Sequence, residues 1–471
     1  GIALDSLESI NPIGIENSGT LMATGGHILL DSAALDSSLK SAINNSGIIN
    51  VSSIEQDGGN IRLVSSAGSI TQTGTLQADA INIGNGGEIR LIANQTLISQ
   101  GELSAQGGLL KGDGGFIETS GHESIELNTR TFTQATNGQA GHWLIDPTNI
   151  TIGDAAGTDF TSAQIITSLN NNGTLSLLAD LEIDIDGGLN TGTQAGILNL
   201  DAPTINVNSA ITGSSLVLNL GSTIRPSDSV TLLADVDVLG LSITSNTTTL
   251  AADIISNGEV LFSSNQSLTI DGSRSITTSG SNKISLNGVS IKSNDGDGTN
   301  NNDQLTLNTI NGIVDLRNMT MSSVDRLNSF IINRTTANSG SNGDINISGD
   351  IYADVFSILN TNGTSGAEQL IQLATDTDFY SDISTTFTNS KINGNSSNLS
   401  LTGKDIILDI VDDIASLTIN ESSALLSTDT TSLTLTDNIS TKGSGIEVNL
   451  AKGDIHINND MNINIHIDIN M

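Results

Sequence analysis

Apolar and polar positions alternate along this chain in short runs, each closed by glycine, asparagine or serine, and the runs recur in step. The signature Gly-x-(Leu/Ile)-x-(Ala/Val) stands at Gly19 to Ala23, Gly47 to Val51, Gly74 to Ala78 and Gly101 to Ala105, with spacings of 28, 27 and 27. Gly-Gly-x-Ile stands at Gly25 to Ile28, Gly58 to Ile61, Gly86 to Ile89 and Gly114 to Ile117, with spacings of 33, 28 and 28. A third short run lies between them, as in Ser69 to Gln72, Thr96 to Ser99 and Ser124 to Leu127. Alternation with a period of two predicts strands, so each period of about 28 residues holds three of them.

Such a trio cannot bury its inner face alone, whereas coil stacked on coil buries it. The pattern therefore predicts an all-β fold: a right-handed parallel β-helix, a solenoid with three short strands per coil and one or two short helical excursions. Glycine is expected where the backbone turns with positive φ, and Asn, Ser and Thr at matching corners are expected to stack as side-chain ladders. The first excursion is read at Asp31 to Ile43. There Leu35, Leu39 and Ile43 recur at every fourth position, Asp36 pairs with Lys40 at i,i+4, and Asn44-Asn45-Ser46-Gly47 ends the run. The second is read at Thr161 to Asn170, with Ala163, Ile166 and Leu169 on one face and Asn172-Gly173 as its stop.

Beyond residue 170 the period loosens. Leu177, Ala179, Leu181, Ile183 and Ile185 are expected to face inward, with Asp180, Glu182, Asp184 and Asp186 outward. Strand-like runs continue at short, irregular intervals to the alternating run Met461 to Ile469. Three segments follow: regular coils over 1–147, continuing β-helix over 148–320, and less regular β-helix over 321–471. In the last, Phe330, Tyr352, Phe356, Phe379, Tyr380 and Phe387 suggest a bulged coil or an inserted subdomain. The chain opens at Gly1 with no signal-peptide pattern and stops inside a strand-like run, so it reads as a piece of something longer.

The regular coils lead into Ile117-Glu118-Thr119-Ser120-Gly121-His122, then Gly141-His142-Trp143-Leu144-Ile145-Asp146-Pro147, then Asn149-Ile150-Thr151-Ile152. Together with Ile43-Asn44-Asn45-Ser46-Gly47-Ile48-Ile49, these runs resemble the filamentous haemagglutinin-type large exoproteins of two-partner secretion systems. The specific likeness covers roughly positions 10 to 185. It implies a β-helix exported by an outer-membrane partner transporter of a Gram-negative cell, an extracellular or outer-surface location, and most often adhesion. Haemolysins, haem-acquisition proteins and contact-dependent toxins are built on related stems. The family's secretion domain with its Asn-Pro-Asn motifs is missing here or reduced to its tail, with only Asn11-Pro12-Ile13-Gly14 as an echo.

Composition narrows the chemistry. Lys plus Arg total 16 against 51 Asp plus Glu, a formal net charge of −35, which argues against nucleic acid as a partner. Cysteine is absent, so there are no disulfides and no thiolate metal sites. Aromatics make up 2% of the chain, so the core must be aliphatic. No run of about 18 apolar residues provides a transmembrane segment.

Candidate sites are few. His122 and His142 are separated by roughly one coil, beside Glu118, Glu123 and Asp146. They are weighed as an acid–base set and read as polar coil residues. Trp143 reads as a core plug, with a carbohydrate platform as the alternative. Asn294-Asp295-Gly296-Asp297-Gly298 through Asp303 is acidic, yet Asn300 and Thr306 stand where a helix-loop-helix calcium loop needs Gly and Glu. No catalytic, cofactor-binding or metal residue is assigned, and no cofactor is expected. The expected function is a non-enzymatic structural and adhesive stalk that contacts a host or bacterial cell-surface glycan or protein. The rival is a β-helix polysaccharide lyase or hydrolase.

Overall fold

The structure, a computed structural model, describes residues 2–5, 14–32, 42–155, 158–222, 226–294, 302–335, 345–361, 368–421, 431–435, 439–449, 453–457 and 467–469. It is a parallel β-helix. The chain divides into two compact units, Gly1–Ser227 and Asp228–Met471.

In the first unit one face is a continuous parallel sheet of nine strands, from Ile2–Asp5 through His27–Ser32, Asn60–Ser65, Glu88–Ala93, Phe116–Gly121, His142–Pro147, Thr174–Leu178 and Gly196–Asp201 to Ile211–Leu220. The other two faces of the regular coils are five-stranded. One runs from Ile15–Asn17 to Ser124–Leu127, the other from Thr20–Met22 to Arg130–Phe132. Partners on the long face keep one fixed spacing where the repeat is strict, as in Asn60↔Glu88↔Phe116, and stand two positions closer in Phe116↔His142.

The core is built from columns. Ile28, Ile61, Ile89, Ile117, Trp143 and Leu175 follow one another through the coils, each at most 3% exposed. Trp143 thus occupies the isoleucine slot of the next repeat, with Ala140-Gly141 in place of Gly-Gly. Most repeat glycines serve close approach and not positive φ. An added Cβ would lie 1.9 Å from the Gly47 oxygen at Gly74 and 2.1 Å from the Gly87 oxygen at Gly115, whereas positive φ is confined to corners such as Gly25, Gly84 and Gly112.

A side-chain ladder is present, but its longest member is buried. Asn17 donates to Asn45 at 2.6 Å and Asn45 donates to Gln72 at 2.7 Å, with Asn45 and Gln72 fully buried. Substituting Asn45→Ala deprives Asn17 of its acceptor and Gln72 of its donor. The expected loss is about 2 kcal/mol of stability, checked by urea unfolding of the full chain.

The predicted excursion at Asp31 to Ile43 is corrected at both ends. Asp31 belongs to the strand His27–Ser32 and Ile43 to the strand Ile43–Asn45; residues 33–41 lie outside those described. The second excursion is the helix Ser162–Asn172, capped by Thr161 in a reciprocal box with Gln164 and stopped at Gly173, where φ is 70°. Its buried residues are Ser162, Ile165, Leu169 and Asn172, so the inward face is rotated by one position from the predicted Ile166 face and Ala163 is exposed. Leu181 is 57% exposed, because the chain turns a corner at Asp180 and the alternation restarts at Glu182.

The second unit consists of parallel coils of uneven length, short in Thr247↔Ser267 and longer in Ile276↔Leu307. Among the described residues the aromatic-rich stretch belongs to the coils. Phe330 and Phe356 are register partners, and Phe356, Phe379 and Phe387 pack with centroids 5.0 to 5.8 Å apart in the core. The two tyrosines, Tyr352 and Tyr380, are register partners on the outside. Of the predicted terminal strand only Ile467–Ile469 is described.

Candidate functional site

The last regular coils carry a cluster of charged, aromatic and histidine side chains. The first residues of successive strands on the long face form an outer column Asn60, Glu88, Phe116, His142. Beside it the glycine pairs leave no side chains, so a trough of about 550 Å³ opens over Gly58, Gly86 and Gly114. Asp57 lines it as well and begins a ladder in which the Asp57 and Asn85 side chains accept from the backbone N–H of Asn85 and Asp113 in turn. Arg90 pairs with Glu88 and Glu118 and lies 4.9 Å from the Phe116 ring centroid. His142 meets Phe116 edge-on at 5.5 Å, its Nε2 lies 2.6 Å from the Ser176 Oγ, and burial lowers its pKa. The trough presents carboxylate, amide and aromatic surface along the coil axis, suited to hydrogen-bonding a hydroxyl-rich chain.

His122 and His142 do not stack. Phe116 is the register partner of His142 and Gly121 that of Pro147, so His122 stands six positions along the strand direction, roughly 20 Å away. The sequence spacing of the two histidines is shorter than the true coil at that point and therefore connects opposite ends of one face. His122 is exposed, with Nδ1 3.8 Å from Asp180 Oδ2, while Glu118 is held by Arg90. The Asp146 carbonyl accepts from Ser120 Oγ, and Glu123 is exposed. Trp143 is 3% exposed and its indole N–H donates to Thr119 Oγ1 at 3.1 Å, a core position with its polar edge satisfied.

Of the acidic loop, residues 295–301 lie outside those described. Asp303 is 3% exposed and its carboxylate accepts from the N–H of Gly272 and Asn294 and from Ser293 Oγ, which ties the two ends of the loop to the coil. Among the described residues no group of three His, Asp or Glu is placed to hold a metal ion. Among them, too, no helix is long and apolar enough to cross a membrane.

One ion cluster lay beyond reach of the sequence. Asp315, 1% exposed, accepts from Arg317 at 2.8 Å through both oxygens and faces Lys283 at 3.0 Å. Burial pushes its pKa up, but the hydrogen bonds from Arg317 and Lys283 outweigh it and bring the value to about 2. The folded pKa lies below the unfolded value of about 3.9, so the stabilisation is full above that value and is lost as pH falls toward about 2. Asp315→Asn is expected to cost about 1–2 kcal/mol at neutral pH and almost nothing near pH 2, read from urea midpoints across that range.

No family model matches the chain, and no curated protein matches it.

Proposed function

We propose that this chain is the β-helical stalk of a secreted or surface-associated bacterial exoprotein of the filamentous haemagglutinin type, a non-enzymatic element that presents adhesive surface to a cell-surface glycan or protein. The observation that carries this reading is the unbroken coil-on-coil register of the first unit. Its nine strands on one face make eight steps of about 4.8 Å, a rise of roughly 38 Å. A solenoid whose coils contact only their neighbours gains reach by adding coils, which is what a spacer between a surface and its target requires. Support also comes from the Trp-Leu-Ile-Asp-Pro run, which forms the strand His142–Pro147 and ends the regular coils. The trough beside Phe116 offers glycan-sized polar surface on the same coils.

The test is a glycan array probed with the full chain, with and without calcium, paired with a reducing-end assay on every polysaccharide retained. Binding without cleavage is the expected result. Release of new reducing ends would make the chain a polysaccharide-cleaving enzyme and overturn the stalk reading.

A further inference from the structure

The five-stranded face that ends at Arg130–Phe132 is succeeded by the helix Ser162–Asn172 and not by a sixth strand. Asn172 donates to Thr131 Oγ1 at 2.9 Å, and the Thr133 N–H donates to the Asn171 carbonyl at 3.2 Å. At the other end of the helix, Gln164 reaches the Leu127 carbonyl at 3.4 Å. These bonds hold the helix across the open edge at two places, and between them it stands off the sheet. The space left is a half-open cleft of about 250 Å³.

The cleft is amphipathic. Trp143 and Phe160, each 3% exposed, form its floor, and Leu127 and Ala163 extend the apolar wall. Arg130 stands at the rim, its side chain 73% exposed and paired with Glu102 at 2.9 Å. Arg130 donates its N–H back to Gly101 in the preceding coil, and alternation in a parallel ladder therefore points the Thr131 N–H the other way, toward the helix and the cleft. An apolar floor, a backbone donor at the sheet edge and a guanidinium at the mouth converge on one kind of ligand.

We propose that this cleft binds a small monocarboxylate with an apolar body. The hydrocarbon lies against Trp143, Phe160 and Leu127, and the carboxylate faces the Thr131 N–H and Arg130, whose guanidinium it shares with Glu102. The site is distinct from the trough beside Phe116 and does not depend on the stalk reading. It has its own reporter, because Trp143 is the single tryptophan of the chain.

The experiment titrates the full chain with octanoate and, separately, with 1-octanol, both below the concentration at which they aggregate, and follows Trp143 emission. Octanoate is expected to give a saturable spectral shift with an affinity about two- to fivefold above that of octanol, the range an exposed ion pair supplies. Arg130→Gln is expected to erase that difference while leaving octanol unchanged. Ala163→Phe, at an exposed helix position, is expected to fill the cleft and abolish the response to both, with the far-ultraviolet dichroism of wild type. No saturable shift, equal affinities for the two probes, or a response that survives Ala163→Phe would each overturn the assignment.

Discussion

Gly74→Ala is expected to destabilise the first unit by more than about 3 kcal/mol, whereas Gly19→Ala, the same position in the repeat, shifts stability by less than about 0.5 kcal/mol. At Gly74 a Cβ would fall 1.9 Å from the Gly47 carbonyl oxygen and 2.8 Å from the Ser46 carbonyl carbon, both backbone atoms of the adjacent coil. The clash cannot be relieved by a rotamer change, because the obstructing atoms belong to the ladder that holds the coils together. At Gly19 the nearest atom to an added Cβ, among the described residues, is the Asn17 Oδ1 at 4.0 Å. Neither glycine has a left-handed backbone, so the comparison isolates space from conformational strain. Urea unfolding followed by far-ultraviolet dichroism checks it, and equal midpoints for the two variants would show that coil spacing relaxes to admit a methyl group.

Trp143→Ala is expected to cost about 3–5 kcal/mol, the range for removing a large buried aromatic, with a further loss because Thr119 Oγ1 forfeits its indole donor. The position is more demanding than its neighbours. Ile117 precedes it and Leu175 follows it in the same column, so the indole is flanked on both sides by fully buried aliphatic side chains. Trp143→Phe retains most of the apolar area and is expected to cost about 1–2 kcal/mol. Chemical denaturation by dichroism gives both values, and a loss below about 1 kcal/mol for the alanine variant would mean that the coil collapses around the gap.

The regular coils were legible because most glycines of their two signatures mark positions where backbone meets backbone, where a side chain would collide with the adjacent coil. The next coil was hidden by two changes in one place: Ala140 replaces the first glycine of the pair and Trp143 replaces the isoleucine, while the coil shortens by two positions. The Trp run was recognisable as a landmark and Trp143 as a core residue, but its register with the isoleucine column was not. Errors of face occurred at corners. Leu181 has the parity of a core residue and lies outside, since parity is counted within a strand and a corner resets it. Asn45, read in the run that ends the first excursion, and Gln72, read at the end of a strand run, are interior, which is tolerable only because each coil supplies a partner to the next. The candidate histidine pair failed for a related reason, in that its spacing is not the coil length at that point. Arg130 and the cleft under the helix had no sequence signal, because the cleft arises from a strand that is absent and a helix that only partly replaces it.

The buried Asn17–Asn45–Gln72 column also fixes the natural unit of change in this protein. Each side-chain hydrogen bond along that column spans 27 or 28 positions of sequence. Losing a single position inside the strand Ile43–Asn45 would carry Asn45 out of reach of its partners and turn Ile43 outward, whereas spans of 27 and 28 both keep the column paired, so a corner absorbs one position. Losing all of residues 59–86 would bring Gly87 onto Gly58 and Glu88 beside His27, and would place Ser99 next to Asn45 in the same column. Reach in such a chain is therefore quantised: corners absorb small differences in length, as the coils of 26 to 28 positions show, but only a whole coil adds a step of rise, so reach can be inherited as a copy number.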